Sequence, residues 1–288
     1  MLADSGTALV WNLEPLQLLP TAVVALLYAK RANTLSRRGT PVPLWRQVSF
    51  WTGIALVLVA LVSPIDELGE EDLFFFHMLQ HVILGDLAPL CFVVGLTGPI
   101  LRPVLALPGF DKLRVLAHPL VALPVWAINL YLWHVPWLYQ AALEHSPVHA
   151  LEHFMFFACG VLMWSPVVET LPAPAWFGTG AKLGYIFAVR LFEAVLGNVF
   201  MWTSSALYPW YEHAEPTWGI SAVRDQNLAG VVMMAEGSII TLAVLAWLFL
   251  RLGAEGELRQ RLIEEGYDPK QVARAVRYGR AGDLTPPH

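Results

Sequence analysis

The chain has 288 residues, of which 56% are hydrophobic and only 14% are charged. A soluble domain carries about 25% charged residues, so this composition, with several long apolar runs, excludes an ordinary soluble globule and points to a polytopic membrane protein. A net charge of −5 without a concentrated basic patch gives no footprint for nucleic acid.

In chain order, no Lys or Arg precedes Lys30, so the N-terminus lacks the basic region of a cleavable signal peptide. Seven apolar runs follow, at 13–29, 48–64, 73–97, 118–134, 148–168, 181–203 and 228–250, each read as a membrane-spanning helix. The segment after the first run holds Lys30, Arg31, Arg37, Arg38 and Arg46. The segment after the second, "IDELGEED", holds no Lys or Arg. Arg102, Lys112 and Arg114 follow the third run, none lies between the fourth and fifth, and Arg251, Arg259 and Arg261 follow the last. This alternation places the N-terminus outside and the C-terminus in the cytoplasm, with Arg224 as the one residue out of pattern. Trp11, Trp45, Trp133, Trp137, Trp202, Trp210 and Trp218 lie near the ends of runs, as an interfacial aromatic belt requires.

The expected organisation is therefore all-α: a seven-helix transmembrane domain over 1–250 and a polar cytoplasmic tail over 251–288. The tail reads as two short amphipathic helices broken at Gly266 to Pro269. No internal repeat supports an inverted-repeat transporter. Cys91 and Cys159 lie inside apolar runs and read as packing residues.

Histidines carry the chemistry. "HMLQH" puts His77 and His81 in the first two turns of the third run, and "HALEH" puts His149 and His153 in the first two turns of the fifth. Residues four apart on a helix share a face about 6 Å apart along the axis, so each pair can converge on one ion. Ser146–Pro147 reads as cap and first helical residue of the fifth run. His134 ends the fourth run on the same outer side, and His145 is one turn before His149. Chance placement of nine histidines gives about 0.3 such i,i+4 pairs, and the chain has three.

The predicted metal ligands are His77, His81, His134, His149 and His153. Neutral imidazole suits Zn, Cu, Fe and Ni, and thioethers nearby, at Met78 and Met155 and further along at Met201, Met233 and Met234, favour Cu(I) over Cu(II). Zinc is the alternative. "HALEH" also fits the H-x-x-E-H pattern of an inverted zinc peptidase, with Glu152 as general base. Bis-histidine haem ligation is a third reading, in which one ligand from each of two facing helices suffices. Asp86, Glu193 and Glu236 lie deeper, and either pair with Arg190, Asn129 or Asn198 or pass ions inward.

Taken in order, "SPID", "HMLQHVILGDLAPLCFVVG", the stretch from "HPLVALPVWAINLYLWH" through "HALEHFMFFACGVLMWSPV", "LYPWY" and "DQNLAG" resemble the polytopic CtaG family over roughly residues 10–250. These are assembly factors for haem–copper cytochrome oxidases. The resemblance implies a seven-helix protein of the bacterial inner membrane, not an enzyme, that helps copper reach an oxidase subunit, with an extracytoplasmic copper donor as a further partner. It carries over to His77, His81, His134, His149 and His153. Asp66 in "SPID" and Asp225 in "DQNLAG" match too, as partners that orient imidazoles or as loop caps. Asp86, Glu236 and the tail depart from the family pattern. A membrane copper transporter remains a further alternative, in which the deep acids matter.

Overall fold

The computed structural model describes residues 11, 13, 15–109, 113–171 and 173–284. Among the described residues the regular structure is entirely helical. The principal helices are α1 (Pro15–Arg37), α2 (Leu44–Val62), α3 (Phe74–Gly95), α4 (Pro119–Trp133), α5 (Pro136–Glu144), α6 (Ser146–Val168), α7 (Thr179–Trp202), α8 (Ala222–Glu264) and α9 (Pro269–Arg277).

Five of these, α2, α3, α6, α7 and α8, are long and apolar enough to cross a membrane, and the bent pair α4–α5 makes a sixth if it is one span. Every predicted run falls on a helix, but the count of seven spans is not reached on these grounds. With 15 residues, α4 is short of a bilayer crossing on its own. α1 carries Gln17, Pro20 and Thr21 in its first half and Lys30, Arg31 and Arg37 in its second. Exposed Leu26, Leu58, Phe154, Phe187, Ile239 and Phe249 put apolar surface where lipid would contact it.

Corners and breaks follow from residue chemistry. α4 and α5 meet at 72°. Pro136 forces Val135 out of the helical region (ψ 126°), so α4 stops at His134 (φ −90°, ψ 3°), which sits on the corner. Within α3 the turn Ile83–Leu87 is a π-helix, and Leu68–Asp72 ahead of it is another. Such wide turns hold one extra residue and recur at functional sites.

The chain divides into two compact units: Met1–Ala173 with Phe192–Glu236, and Pro174–Leu191 with Gly237–His288. In the first, glycines let helix backbones touch. A Cβ on Gly53 would lie 2.9 Å from the Phe92 nitrogen, one on Gly95 would run into Phe50, and one on Gly160 would overlap the Gly85 carbonyl. Small residues at helix crossings allow this close packing in membranes. In the second unit Leu262 packs on Val272 and Val276 of α9, whose start is capped by Asp268 at Lys270 N (3.0 Å) and Gln271 N (2.9 Å). Arg277 donates to the carbonyls of Pro174 (3.2 Å) and Phe177 (2.7 Å).

Three sequence expectations change. α8 runs unbroken past residue 251, so the expected first tail helix continues the last predicted span. The break then falls at Gly266 (φ +93°), ahead of Pro269, as the sequence indicates. Trp133 is buried and donates to Asn129 Oδ1 (3.1 Å), so it does not belong to the exposed tryptophans Trp11, Trp45, Trp137 and Trp202. Ser146 is already helical, with His145 ahead of it as the boundary residue.

Candidate metal centre

α3 is anchored at its first turn. Leu73 has no side chain able to cap it, and Asp225, at the start of α8, takes over: Oδ2 accepts from Phe74 N (2.6 Å) and Oδ1 from Phe75 N (3.0 Å). A carboxylate at a helix N-terminus satisfies orphan N–H groups and favours the helix dipole. His77 and His81 follow on one face. On α6, His149, Glu152 and His153 share a face by the same i, i+3, i+4 geometry. All five are buried, His77 and Glu152 completely.

The rings of His77 and His81 are 4.2 Å apart between centroids, those of His149 and His153 4.0 Å, and His77 lies 5.5 Å from His149 across the two helices. One ligand atom from each of His77, His149 and Glu152 lies within 4.8 Å of the others. His81 is 5.8 Å from His153 and 5.9 Å from His134, ring to ring. The structure thus clusters the rings of four of the five predicted histidines, of which His77 and His149 join Glu152 in a group able to hold an ion, and it sets His134 on the far side of His81. His145 is exposed at the helix boundary.

Hydrogen bonds fix which nitrogen of each ring faces inward. His149 Nδ1 donates to Glu70 Oε1 (2.5 Å), His153 Nδ1 to Gln17 Oε1 (3.1 Å), and His134 Nδ1 to Leu130 O (2.6 Å). With the proton on Nδ1, each neutral ring presents a lone pair at Nε2. The Nε2 atoms of His149 and His153, both ring nitrogens of His77 and His81, and both oxygens of Glu152 have no hydrogen-bond partner. His81 Nε2 and Glu152 Oε1 lie 3.6 Å apart. Buried polar atoms left in this way are costly, and a cation that accepts their lone pairs removes the cost. The donor set therefore fits a metal ion. Glu70 on His149 is the carboxylate–histidine arrangement that orients ligands in metalloproteins.

The surrounding loop holds Glu70 in place. Tyr211 donates to Gly69 O (2.8 Å), Trp210 Nε1 to Glu70 O (2.9 Å), and Tyr208 to His134 O (2.8 Å). Because Tyr211 donates to Gly69, the 2.6 Å contact between the Tyr139 and Tyr211 hydroxyls has Tyr139 as donor. Burial raises the Tyr208 and Tyr211 phenols, so both remain protonated donors. Burial, then the Glu67 and Glu70 carboxylates, raise Glu71 beside the site. The "LYPWY" stretch is thus a clamp on the site. "DQNLAG" fastens the clamp: Gln226 accepts from Leu207 N (2.8 Å), and Asn227 donates to Phe200 O and Met201 O (both 3.0 Å).

The sequence does not reveal Glu70, Gln17 or the place of Glu152 beside His77 and His149. Glu152 was visible only as a peptidase base, and Glu70 and Gln17 come from segments with no fixed spacing to the histidines. Asp66 is buried and accepts from Gln80 Nε2 (2.5 Å), which also donates to Ala60 O (2.9 Å), so it braces α3 against the chain leaving α2. Asp225 acts as a helix cap. Deeper, Asp86 accepts from Trp164 Nε1 (2.6 Å), and Asn198 donates to Ala194 O (2.7 Å) and accepts from Trp202 (2.9 Å). Arg190 donates to Ser238 (3.0 Å). Cys91 and Cys159 are unbridged.

Uncharacterized proteins of Mycobacterium bovis and Mycobacterium tuberculosis are each 25% identical to the chain over 240 residues, 77% of this chain and 36% of theirs. One of Mycobacterium leprae is 22% identical over 255 residues, 82% and 38% respectively. The chain spans little more than a third of the length of these curated relatives. No solved structure matches. The model of the cytochrome c oxidase caa3 assembly factor family, Caa3_CtaG, matches residues 26–254, and with that span covered the chain belongs to this family.

Proposed function

We propose that the protein delivers copper to a haem–copper oxidase subunit from an outward-facing site, and does so without catalysing a reaction. The observation that carries this reading is the convergence of His77, His149 and Glu152 within 4.8 Å, their inward atoms lacking hydrogen-bond partners. The oxidase-assembly role of the family supplies the client. Imidazole suits copper as well as zinc, the Met78 thioether beside His134 favours Cu(I) over Cu(II) deeper along α3, and buried, mutually close ligands allow an ion to change hands one bond at a time. In this reading α1 and α4–α5 supply the spans beyond the five helices long enough alone. The N-terminus is outside, the C-terminus in the cytoplasm of a bacterial inner-membrane protein, and an extracytoplasmic donor loads the site.

The test is metal content. Purified protein is expected to hold copper, and His77→Ala with His149→Ala is expected to abolish binding in this pocket. Unchanged copper content in the double variant rejects the site. Glu152→Gln separates delivery from a zinc peptidase. As a ligand, Glu152 should take copper affinity with it when changed; as a general base it would leave metal in place and remove peptide hydrolysis.

A further inference from the structure

Below the outer imidazoles, along α3 away from its first turn, lies a cavity of about 40 Å³ lined by Met78, His81, Asp86, His134, Glu193 and Glu236 among others. A water needs about 10–15 Å³ measured in this way, so the space has room for one ion together with about two waters. His134 stands on its wall in a fixed tautomer. Nδ1 donates to Leu130 O at 2.6 Å, which leaves the Nε2 lone pair facing Met78 Sδ at 3.4 Å. A thioether has no proton to give, so two Lewis donors face each other in a buried space. Bonds of about 2.0 Å to imidazole nitrogen and about 2.3 Å to sulfur bring two ligand atoms to this separation at an angle of about 105°, close to tetrahedral.

A second observation points into the same space. His81 is 4% exposed, lines the cavity, and has no hydrogen-bond partner at either ring nitrogen. Its ring lies 4.2 Å from His77 on one side and 5.9 Å from His134 on the other. Asp86, Glu193 and Glu236 also stand on the cavity wall, Asp86 accepting from Trp164 Nε1 at 2.6 Å.

We propose that Met78 and His134 form an inner station for one soft monovalent cation, Cu(I) in chemistry, and that His81 relays the ion between it and the outer site. The relay rests on the copper reading of the outer site; the inner station stands on its own donors. The step is ligand exchange alone: a His77 or His149 bond to the ion gives way to one from His81, and that in turn to His134 and Met78, with no change of oxidation state.

X-ray absorption on the full chain in detergent, loaded with Cu(I) under ascorbate, tests this. Wild type is expected to hold two equivalents, with a sulfur neighbour at about 2.3 Å. Met78→Leu, a near-isosteric change, should lose one equivalent and the sulfur signal. Met201→Leu, outside the cavity lining, should keep both. His149→Ala with Glu152→Gln should lose the other equivalent and keep the sulfur. No sulfur in saturated wild type, or sulfur that survives Met78→Leu, overturns the inner station. One nitrogen- and oxygen-bound equivalent that vanishes in the His149/Glu152 variant would leave the outer site standing alone. A single sulfur-bound equivalent indifferent to that variant would leave only the inner station.

Discussion

Glu70 accepts from Nδ1 of His149 at 2.5 Å, and so leaves Nε2 of that ring, buried and without a hydrogen-bond partner, as its remaining ligand atom. The bond links a π-helical loop to the first turns of α6, and nothing in their sequence spacing announces it. Removing the carboxylate while keeping the shape should weaken the ligand without removing it. Glu70→Gln is expected to lower copper affinity about 10–100-fold with the melting temperature little changed, measured by competition with a coloured Cu(I) chelator. Affinity within twofold of wild type would deny Glu70 this orienting role.

Asp225 holds the N-terminus of α3 from the far end of the chain. Asp225→Ala leaves two N–H groups without their acceptor and should cost about 1–2 kcal/mol, seen as a lower melting temperature in detergent. Asp225→Asn, which keeps a single acceptor oxygen, should recover part of the loss. Equal losses in the two variants would mean that the charge, not the capping bond, matters.

Gly160 sets the separation of α3 and α6. Its missing side chain is where the Gly85 carbonyl and the Pro89 ring lie. Gly160→Val must push the helices apart, with an overpacking cost of about 1–3 kcal/mol, and should separate the His77–His81 pair from His149 and His153. Metal content is expected to fall along with stability. Full copper loading in a folded Gly160→Val protein would show that the site tolerates a wider crossing.

Topology is testable in a background of Cys91→Ser and Cys159→Ser. A cysteine in place of exposed His145 should react with an impermeant maleimide in intact cells, whereas one in place of Arg259 should react only after permeabilisation. Reversal of the two results would invert the orientation and put the His pocket on the cytoplasmic side.

Much of this arrangement is legible in the chain. His77/His81 and His149/His153 are i,i+4 pairs at the starts of long apolar helices, and helical geometry alone points each pair in one direction. The corner at His134 is written in Pro136. The partners of the rings are not legible, because Gln17, Glu70 and Leu130 meet them through tertiary packing or a local turn. The end of α8 is not legible for a related reason: polarity rises after residue 251, but Gly253 and Gly256 do not stop a helix that has already nucleated, and only the sequence from Gly266 to Pro269 does. α1 shows the reverse, an apolar run whose helix extends into its own basic flank.

The wide turn at Ile83–Leu87 makes α3 two rods joined out of phase. The upper rod aims imidazoles, and the lower one lies against α2 through Gly53 and Gly95. One residue fewer in that turn would leave a regular helix, yet would rotate the lower rod by about 100° and swing Asp86 off the cavity wall. The ligand-bearing turns and the turns packed on α2 are thereby uncoupled, so changes in how the lower rod seats against α2, unlike a wider crossing with α6, need not disturb where the histidines point.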